Sequence, residues 1–466
     1  MDKPNMVFVV TDDQRFDTVA ALGNPLIHTP NFDRLVRMGV AFTNAHIPGG
    51  TSGAVCMPSR AMIHSGRSLF HLDGVGETIP PCHATLGEAF RNNGYRTIGI
   101  GKWHNSPPAF ARSFSDGGSI FFGGMWDHWN VPTSRYDPAG DYDNVINFVV
   151  NFFEGNKIDK VHCDEFVPGK HSSELLTDTA IDFLKKQEGD EPFLLYLAYL
   201  APHDPRTMPE RFREMYRAED IPLPENFSPT QLVEHFPMFY FRDEKLAAYP
   251  RREEEVREQI ADYYAMISHL DHEFGRLLDA LEEQGRLKDT IVVFTGDNGL
   301  AVGQHGFMGK EDLYEHSIRV PLIVAGAGVP QNRRCDAFVY LYDIFPTLCE
   351  AAGIPVPETV DGRSFLDCVH HPEKGHREEL YLAFTEQVRG IKTARYKLLE
   401  YAVTGRTTQL FDLKEDPMET RDLAGDPAYA PVIDELRGAL FRLRDEWEDR
   451  KHPSGRWFWE SYEALS

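Results

Sequence analysis

Continuous apolar runs, separated by longer segments with helical periodicity, constrain the fold of this 466-residue chain most strongly. Such runs are typical of strands buried on both faces of a parallel sheet, because half-exposed strands would alternate apolar and polar residues. Strands that alternate with helices predict an α/β fold with a large, mainly parallel sheet flanked by helices. The predicted strands cover residues 6–10, 96–100, 193–200, 290–295 and 320–326, and two long helices are predicted over 170–187 and 253–285.

The pattern changes near residue 370, where a short charged segment ends the alternation. Runs typical of antiparallel strands follow, and after them a helix predicted over residues 429–448 and an aromatic tail. We therefore expect two units. A catalytic domain would cover residues 1–370, and a smaller α+β domain with an antiparallel sheet would cover residues 371–466.

Composition excludes several partners. The formal net charge of −24 disfavours nucleic acid and anionic membrane surfaces, so a small anionic substrate would need a local basic pocket. No apolar run approaches the roughly 20 residues of a membrane helix, and the N-terminus shows no cleavable signal pattern. We expect a cytoplasmic protein for the chain as written, or a periplasmic or secreted one if a leader has been removed.

Polar, reactive residues follow four of the predicted strands, and this shared position is the strongest functional signal. In an open parallel sheet, ligands bind outside the carboxyl ends of the strands, so these residues should meet at one edge. They would bring carboxylates, an amide, a lysine and imidazoles to a single site. The residues are Asp12 and Asp13, Lys102 and His104, His203, and Asp297 and Asn298.

The acidic members of this set predict a metal site. Asp12, Asp13, Asp297 and Asn298 offer hard oxygen ligands, which suit Ca²⁺ or Mg²⁺, whereas zinc favours His or Cys. Adjacent aspartates also repel each other unless a cation lies between them. The alternative interpretation of Asp12 and Asp13 is a turn with a helix N-cap. A second acidic strand end at Asp297 favours the metal.

Cys56 is one of six cysteines, none of which has the spacing of a zinc site. It lies between a Gly/Ser-rich loop and a predicted short helix that ends at Gly66. At a helix N-terminus, the partial positive charge would stabilise an anionic nucleophile and an incoming anion. Arg60 follows one turn later, so its guanidinium would reach the same point. The residue type alone, however, favours an inert buried thiol.

Further cationic side chains would complete an anion site. Lys102, His203 and Lys310 would surround an oxyanion, and His104 or His203 would protonate a leaving group. Taken singly, each is equally well explained as a structural or solvated side chain. Two further candidates for substrate contact, also consistent with loop packing, are Arg206 and His305.

Together these segments make the chain resemble the type I, formylglycine-dependent sulfatases of the alkaline phosphatase superfamily. The similarity runs nearly end to end, and its most specific part is CMPSRAMIHSGR, which begins at Cys56. Other matching segments are NMVFVVTDDQR, GKWH, APHDP, DTIVVFTGDNG and GQHGFMGKEDLYEHSIRVPLIV. The resemblance implies an alkaline phosphatase-like fold and hydrolysis of a sulfate ester, with sulfated carbohydrates as a candidate substrate class.

By position, the resemblance implies that a maturation enzyme converts Cys56 to formylglycine, whose hydrate is the nucleophile. One divalent cation, Ca²⁺ in the first place with Mg²⁺ as the alternative, would be held by the four oxygen ligands and the modified Cys56. By the same resemblance, Arg60 would steady the hydrate. Lys102, His203 and Lys310 would bind sulfate oxygens. His203 would also protonate the leaving group, and His104 would act as a base.

Two other functions stay open. A phosphonate monoester or phosphodiester hydrolase of the same superfamily would use a related site; Asn298 in place of a histidine argues only against a two-zinc phosphatase. A non-catalytic sulfate-binding protein is the second alternative. The chain also departs from many relatives at Asn105 and Ser65, both near the predicted site. The aromatic tail would pack on its own domain or contribute to a homo-oligomer.

Overall fold

The protein is described by a computed structural model that covers residues 3–151, 153–155, 157–187, 189, 191–233 and 241–465. The strands are β1 (Asn5–Thr11), β2 (Gly39–His46), β3 (Gly49–Gly50), β4 (Arg96–Lys102), β5 (Asp116–Phe121), β6 (Asn130–Thr133), β7 (Val145–Asn151), β8 (Lys157–His162), β9 (Glu165–Pro168), β10 (Phe193–Ala198), β11 (Thr290–Gly296), β12 (Arg319–Gly326), β13 (Arg333–Cys335), β14 (Val339–Tyr340), β15 (Glu379–Phe384), β16 (Val388–Thr393), β17 (Tyr396–Ala402) and β18 (Arg406–Asp412).

Helices occupy most of the segments between these strands. The α-helices are α1 (Pro30–Met38), α2 (Cys56–Ser65), α3 (Leu86–Arg91), α4 (Pro107–Ser113), α5 (Ser172–Lys186), α6 (Glu210–Arg213), α7 (Glu253–Glu283), α8 (Glu315–Ile318), α9 (Ile344–Ala352), α10 (Leu366–His370), α11 (Ala430–Glu446) and α12 (Pro453–Ala464). None of the described helices is long and apolar enough to cross a membrane.

Strand β1 lies at the centre of a nine-stranded sheet with the order β13-β2-β12-β11-β1-β10-β4-β5, where β14 also pairs with β2. β1 is parallel to both β10 and β11, and β4 continues the parallel arrangement beyond β10. Every residue of β1 and β11 is buried, as their continuous apolar sequences predict. The parallel strands therefore present their carboxyl ends at one edge, and the predicted α/β class is confirmed.

Alternate residues of β1 contribute to two apolar clusters, one on each face of the sheet. Val7 and Val9 pack with α1, α5 and α7, whereas Phe8 and Val10 pack with α2, α3, α4 and α9. Both faces of the central strands are therefore covered by helices.

A second sheet, with the order β18-β17-β16-β15-β3, follows the large one. Its four C-terminal strands are antiparallel, whereas the two-residue strand β3 pairs parallel to β15. The predicted antiparallel sheet is thus confirmed, but it includes Gly49–Gly50 from the N-terminal half. One apolar cluster continues from the large sheet into this sheet. The domain boundary near residue 370 stays a prediction.

The structure corrects several details of the predicted elements. β12 is antiparallel to β11, because the chain returns along the sheet rather than crossing over it. β2 and β5 were not predicted; β2 mixes polar residues into its second half and β5 begins with Asp-Gly-Gly. The long predicted helices are present as α5 and α7, and Gly285 follows α7 with a φ of 66°.

The aromatic tail forms α12 and packs on the C-terminal sheet. Phe458, Trp459 and Tyr462 are buried, whereas Trp457 on the opposite side is 68% exposed. Most of the tail thus belongs to its own domain. Residues 202–250, which have no clear period in the sequence, include residues 234–240, which lie outside the described part of the chain.

Candidate active site

The polar residues that follow β1 and β11 lie together because these strands pair in register up to Thr11 and Gly296. The backbone N–H of Asp297 donates to the carbonyl of Thr11 at 3.0 Å, and the N–H of Asp13 donates to Oδ1 of Asp297 at 3.1 Å. Possible ligand atoms of Asp12, Asp13, Asp297 and Cys56 all lie within 4.8 Å of one another. The strand-end prediction therefore places these side chains in one buried cluster.

Cys56 is the first residue of α2, and its Sγ lies 3.5 Å from Oδ1 of Asp13. The helix ends where predicted, at Gly66, whose φ of 65° suits a residue without a Cβ. The expectation that the helix N-terminus would favour a thiolate is not met. Burial and the carboxylates of Asp12 and Asp13 raise the pKa of the Cys56 thiol well above its usual value. An unmodified Cys56 is therefore a protonated, poor nucleophile.

Arg60 lies one turn further along α2 and is completely buried. Its Nε donates to Oδ2 of Asp297 at 2.8 Å, and its Nη1 donates to the carbonyl of Lys102 at 3.0 Å. Nη1 also lies 3.4 Å from the hydroxyl of Tyr196. Arg60 thus joins the helix that carries Cys56 to the ends of β11 and β4.

Two buried lysines compensate the aspartates. Nζ of Lys102 bonds Oδ2 of Asp12. Nζ of Lys310 donates to both carboxylate oxygens of Asp13, at 2.6 and 2.7 Å, and lies 3.2 Å from Sγ of Cys56. Burial opposes the charge of Lys310, but Asp13 and other acidic neighbours outweigh it and raise its pKa well above the usual value. Lys310 is therefore a cation in contact with the candidate nucleophile.

The surrounding charges shift the pKa values of Asp12 and Asp297 in opposite directions. Burial favours the neutral form of Asp12, but Lys102, His203 and Arg60 outweigh burial and hold its pKa well below the usual value. Burial and the negative charge of Asp12 raise the pKa of Asp297 to about 7. Three carboxylates thus face the three cations Arg60, Lys102 and Lys310, yet burial keeps the pKa of Asp297 raised, and an added cation would favour its ionised form.

Two oxygen atoms in this cluster have no hydrogen-bond partner. They are Oδ1 of Asp12 and Oδ1 of Asn298, and both residues are completely buried. Nδ2 of Asn298 donates to Asp13 at 2.7 Å, so its amide oxygen faces another direction. Buried polar atoms are rarely left unpaired, and hard oxygen atoms are the ligands of Ca²⁺ and Mg²⁺. The side chains present therefore fit a divalent cation.

The two predicted histidines lie at the edge of the cluster. Nδ1 of His203 donates to the carbonyl of Asp204 at 2.9 Å, which leaves Nε2 facing Asp13 Oδ2 at 3.7 Å. His104 has a φ of 70° and packs against Gly124, where a Cβ would lie 2.8 Å from its Nε2. Burial and the nearby cations lower the pKa of His104 well below its usual value, so this imidazole is neutral.

Two predicted substrate contacts have packing environments instead. The ring of His305 is buried and stacks on Tyr314 with a centroid distance of 4.1 Å, and its Nε2 lies 3.1 Å from Asn226. Arg206 bonds Gln259 through Nη1 and lies over the ring of Tyr263. Nε and Nη2 of Arg206 are buried and have no hydrogen-bond partner. Roles of His305 and Arg206 in substrate binding stay predictions.

Sequence reasoning missed the residue that links His203 to Lys310. Arg242 donates to both carboxylate oxygens of Asp204 at 2.6 Å, and its Nη2 also lies 2.6 Å from Oδ1 of Asp243. Asp243 in turn lies 3.6 Å from Nζ of Lys310. The only signal was the Asp that follows His203, because Arg242 itself lies in a segment without a clear period.

Asn105, noted from the sequence only as a departure from many relatives, is also tied to the nucleophile helix. Its Nδ2 donates to the carbonyl of Met57 at 2.9 Å and to the carbonyl of Gly76 at 2.6 Å. It thereby joins the segment after β4 to the first turn of α2. His64, on the same helix, is buried against Trp103 and Tyr196.

Comparison with known proteins agrees with this geometry. A family model described as "Sulfatase" matches residues 4–354, and one described as "N-sulphoglucosamine sulphohydrolase, C-terminal" matches residues 303–446. The chain is 29% identical to the multifunctional alkaline phosphatase superfamily protein PehA of Trinickia caryophylli, with 97% of each chain covered. It is 25% identical to an N-acetylglucosamine-6-O-sulfatase of Bacteroides thetaiotaomicron, covering 96% of this chain and 87% of the relative.

A solved structure extends the comparison to the fold. The phosphonate monoester hydrolase of Agrobacterium radiobacter superposes with a TM-score of 0.73 at 23% identity, covering 96% of each chain. The family model and the curated relatives place a chain with this site and fold among the hydrolases of the alkaline phosphatase superfamily. Within that superfamily, the chain belongs to the sulfatase family, the sulfuric ester hydrolases.

Proposed function

We propose that this chain hydrolyses the sulfate ester of a sulfated carbohydrate, with a formylglycine derived from Cys56 as the nucleophile. The observation that carries the proposal is the position of Cys56. Cys56 begins a helix, and its Sγ lies 3.2 Å from Nζ of the cationic Lys310 and 3.5 Å from Oδ1 of Asp13. The surrounding cluster contains oxygen atoms without a hydrogen-bond partner. A nucleophile, an anion-binding cation and a metal site therefore coincide.

Conversion of Cys56 resolves the problem that its thiol presents. Burial and the carboxylates of Asp12 and Asp13 raise the thiol pKa, which disfavours the thiolate that an unmodified cysteine would need as nucleophile. The hydrate of an aldehyde instead carries two hydroxyls on one carbon. One hydroxyl attacks the sulfate sulfur and the S–O bond to the alcohol breaks; the other then loses its proton, the carbonyl re-forms and sulfate leaves.

The timing of this conversion follows from burial. Cys56 is 2% exposed in the folded chain, so a modifying enzyme has no access to its sulfur there. We infer that a formylglycine-generating or equivalent maturation enzyme acts before the chain folds. The sequence CMPSR would then be read as an extended peptide.

The cation site would be formed by Asp12, Asp13, Asp297 and Asn298 together with the modified residue 56. Ca²⁺ is our first choice because these ligands are all oxygen atoms, and Mg²⁺ is the alternative. A bound divalent cation would acidify the nucleophilic hydroxyl and neutralise charge on the sulfate. Lys310, which now contacts Asp13, would be free to turn toward a sulfate oxygen.

The remaining side chains bind the anion and move protons. Lys102 and Lys310 would contact sulfate oxygens from two sides of the cluster, which stabilises charge as the S–O bond breaks. His203 would protonate the leaving alcohol through Nε2, because its Nδ1 is fixed on a backbone carbonyl. His104, held neutral, would accept the proton when sulfate is released. Arg60 would orient residue 56 through Asp297.

The substrate class rests on family relatives. One relative is named as an N-acetylglucosamine-6-O-sulfatase, and from this name we infer that the substrate of this chain is also a sulfated carbohydrate. The sugar and the position of its sulfate are left for experiment. A panel of monosaccharide sulfates with known positions, assayed for free sulfate, would identify both.

The second candidate function is hydrolysis of a phosphonate monoester or phosphodiester. The observation that favours it is the relative PehA, whose name describes a multifunctional protein of the superfamily. Sulfate and phosphonate esters both present tetrahedral anionic centres, so the same cluster of lysines would bind either one.

The test compares both ester types on one preparation with calcium bound and modification of Cys56 verified by peptide mass. We expect kcat/KM for an aryl sulfate or a sugar sulfate to exceed that for an aryl phosphonate. A higher kcat/KM for the phosphonate would replace the leading proposal with the second candidate. Complete inactivity on both ester types, including sulfated glycans, would favour a non-catalytic sulfate-binding protein.

A further inference from the structure

A cavity of about 670 Å³ lies between the chain that follows the nucleophile helix and the start of α12. Its volume is within the range of small-molecule sites, which is about 300–1,000 Å³. None of the residues predicted from the sequence to be functional lines it. Residues that carry the argument are Thr51, Val75, Glu386, Glu448, Lys451 and Trp457.

Trp457 gives this cavity an exposed aromatic wall. The indole is 68% exposed, whereas Phe458, Trp459 and Tyr462 of the same helix are at most 3% exposed. Helix α12 is therefore anchored by its other side chains, and Trp457 is not needed for that packing. A large exposed aromatic side chain on the wall of a cavity indicates a binding surface.

Polar groups around the indole suit a polyhydroxylated ligand. Glu386, Glu448 and Lys451 line the cavity, and Lys451 forms an ion pair with Glu448, so their charges sum to about −1 and Glu386 has no cationic partner among them. This balance disfavours a sulfated or carboxylated ring, whereas carboxylates accept hydrogen bonds from sugar hydroxyls. The C–H face of an uncharged pyranose would cover the indole.

One unpaired polar atom belongs to a residue that lines the cavity, and two more belong to sequence neighbours of a lining residue. Oγ1 of Thr51, in the cavity wall, is buried without a hydrogen-bond partner, and so are Oγ1 of Thr385 and Oε1 of Gln387, which flank the lining residue Glu386 in the sequence. Thr385 and Gln387 are 8% and 4% exposed, and the N–H of Thr385 donates to Gly50, next to Thr51. Such atoms call for a polar ligand or ordered water.

The cavity wall is continuous with the catalytic helix. Val75 precedes Gly76, where an added Cβ would lie 2.9 Å from Cα of Pro58 and 3.0 Å from Cβ of Ala61. The carbonyl of Gly76 also accepts the 2.6 Å hydrogen bond from Asn105. On the other side, Thr51 lies in the loop that leads from β3 to Cys56. Both walls therefore extend from the immediate surroundings of the nucleophile.

We propose that this cavity is a subsite for an uncharged sugar residue attached to the sulfated one, with Trp457 as its stacking platform. The inference rests on the proposed sulfatase function and adds that the preferred substrate is an oligosaccharide. Trp457 would determine specificity through binding, without contact with the sulfate.

The experiment compares three substrates: an aryl sulfate, the sulfated monosaccharide that the enzyme hydrolyses fastest, and disaccharides that extend this sugar by one neutral residue on either side. For the unaltered enzyme, we expect one extension to raise kcat/KM at least tenfold. Trp457→Ala should lose most of that gain through a higher KM and keep kcat/KM for the aryl sulfate within twofold. Trp457→Phe should retain a large part of the gain.

The matched control is Phe153→Ala, which removes another exposed aromatic side chain, 99% exposed, in the turn after β7. It should behave as the unaltered enzyme on all three substrates. The subsite proposal is overturned if neither extension raises kcat/KM, or if Trp457→Ala retains the increase in kcat/KM. It is also overturned if the enzyme hydrolyses the aryl sulfate but no saccharide sulfate. A change of mass in solution with equal losses on every substrate would identify Trp457 as a subunit contact instead. Inactivity of the unaltered enzyme on all sulfate esters would contradict the proposed function itself.

Discussion

Two completely buried carboxylates, Asp449 near the C-terminus and Asp12 at the end of β1, are paired in opposite ways. Oδ2 of Asp449 accepts hydrogen bonds from Tyr381, Trp459 and Arg389, each at 2.7 Å, and its Oδ1 accepts from Arg389 at 3.1 Å. Asp12 bonds Lys102 through Oδ2, but its Oδ1 has no hydrogen-bond partner, with Nη2 of Arg60 3.9 Å away.

The difference separates a structural charge from a functional one. A buried carboxylate with both oxygen atoms hydrogen-bonded holds its neighbours in one arrangement, as Asp449 holds the C-terminal helix against the second sheet. An unsatisfied buried oxygen costs about 1–3 kcal/mol, so a stable protein keeps one mainly where a ligand completes it. The cluster at Asp12 is incomplete in this sense: its unpaired oxygen atoms are the ones that a bound cation would complete.

Removal of a charge from the incomplete cluster should have the largest effect on activity. We expect Asp297→Asn to lower kcat/KM for a sulfate ester by at least about 10³-fold, because metal binding and the orientation of Arg60 both depend on this carboxylate. In the presence of a chelator, it should lose less stability than a variant that removes the carboxylate of Asp449, because relief of the repulsion by Asp12 offsets part of the weakened pairing with Arg60, and the Asn amide still accepts a hydrogen bond. Activity assays and thermal unfolding would measure the two effects. A loss of stability as large as that at Asp449 would remove the distinction between the clusters.

Removal of the fully hydrogen-bonded carboxylate of Asp449 should lower stability and leave activity nearly unchanged. Asp449→Ala leaves the guanidinium of Arg389 buried without its partner, which typically costs about 3–5 kcal/mol of folding free energy. We expect denaturant unfolding to show this loss, while kcat/KM per folded molecule stays close to that of the unaltered enzyme. A variant that is fully stable but inactive would show that Asp449 acts on the site.

Addition of metal should sharpen the comparison further. A cation that binds only the folded chain stabilises it by about 2.7 kcal/mol at a concentration 100 times its Kd. Calcium should therefore raise the Tm of the unaltered protein and of Asp449→Asn, but not that of Asp297→Asn. An equal shift in all three proteins would place the binding site elsewhere.

The smallest predicted effect concerns Asn105, which joins the two carbonyls of Met57 and Gly76. Asn105→Leu fills similar space but removes both hydrogen bonds, so we expect about a tenfold loss in kcat and roughly 1–2 kcal/mol of stability. KM for an aryl sulfate should change little, because Asn105 positions the nucleophile helix and does not contact the sulfate. Asn105→Asp keeps the shape but loses the amide donor, so it should lose at least as much kcat as Asn105→Leu. A rise in KM with unchanged kcat would instead place Asn105 in the substrate-binding site.

The meeting of the residues that follow the strands could be predicted from the sequence, because parallel strands end at the same edge of a sheet. Asp12, Lys102, His203 and Asp297 meet for this reason alone, although long stretches of chain separate them. The antiparallel pairing of β12 was not predictable, because its apolar sequence suits either direction.

Other parts of the site depend on tertiary contacts that no local pattern encodes. Arg242 reaches Asp204 and Asp243 from a segment without periodicity, and only the folded chain shows that it bridges two catalytic candidates. The motif of His305 is consistent with substrate contact or loop packing, and only the folded chain shows that its ring stacks on Tyr314; a role in substrate binding stays a prediction. The raised pKa of Cys56 likewise depends on its burial in the folded chain and on the carboxylates of Asp12 and Asp13 at the end of β1.

The most direct test of the account relates sulfatase activity to the chemical state of residue 56. Preparations made with graded amounts of the maturation enzyme would differ in the fraction of Cys56 present as the aldehyde, measured by peptide mass, while their fold stays the same. The account predicts that the rate of sulfate release, with calcium in excess, rises in proportion to the aldehyde fraction from a value near zero. A rate that stays constant while the aldehyde fraction falls would contradict it.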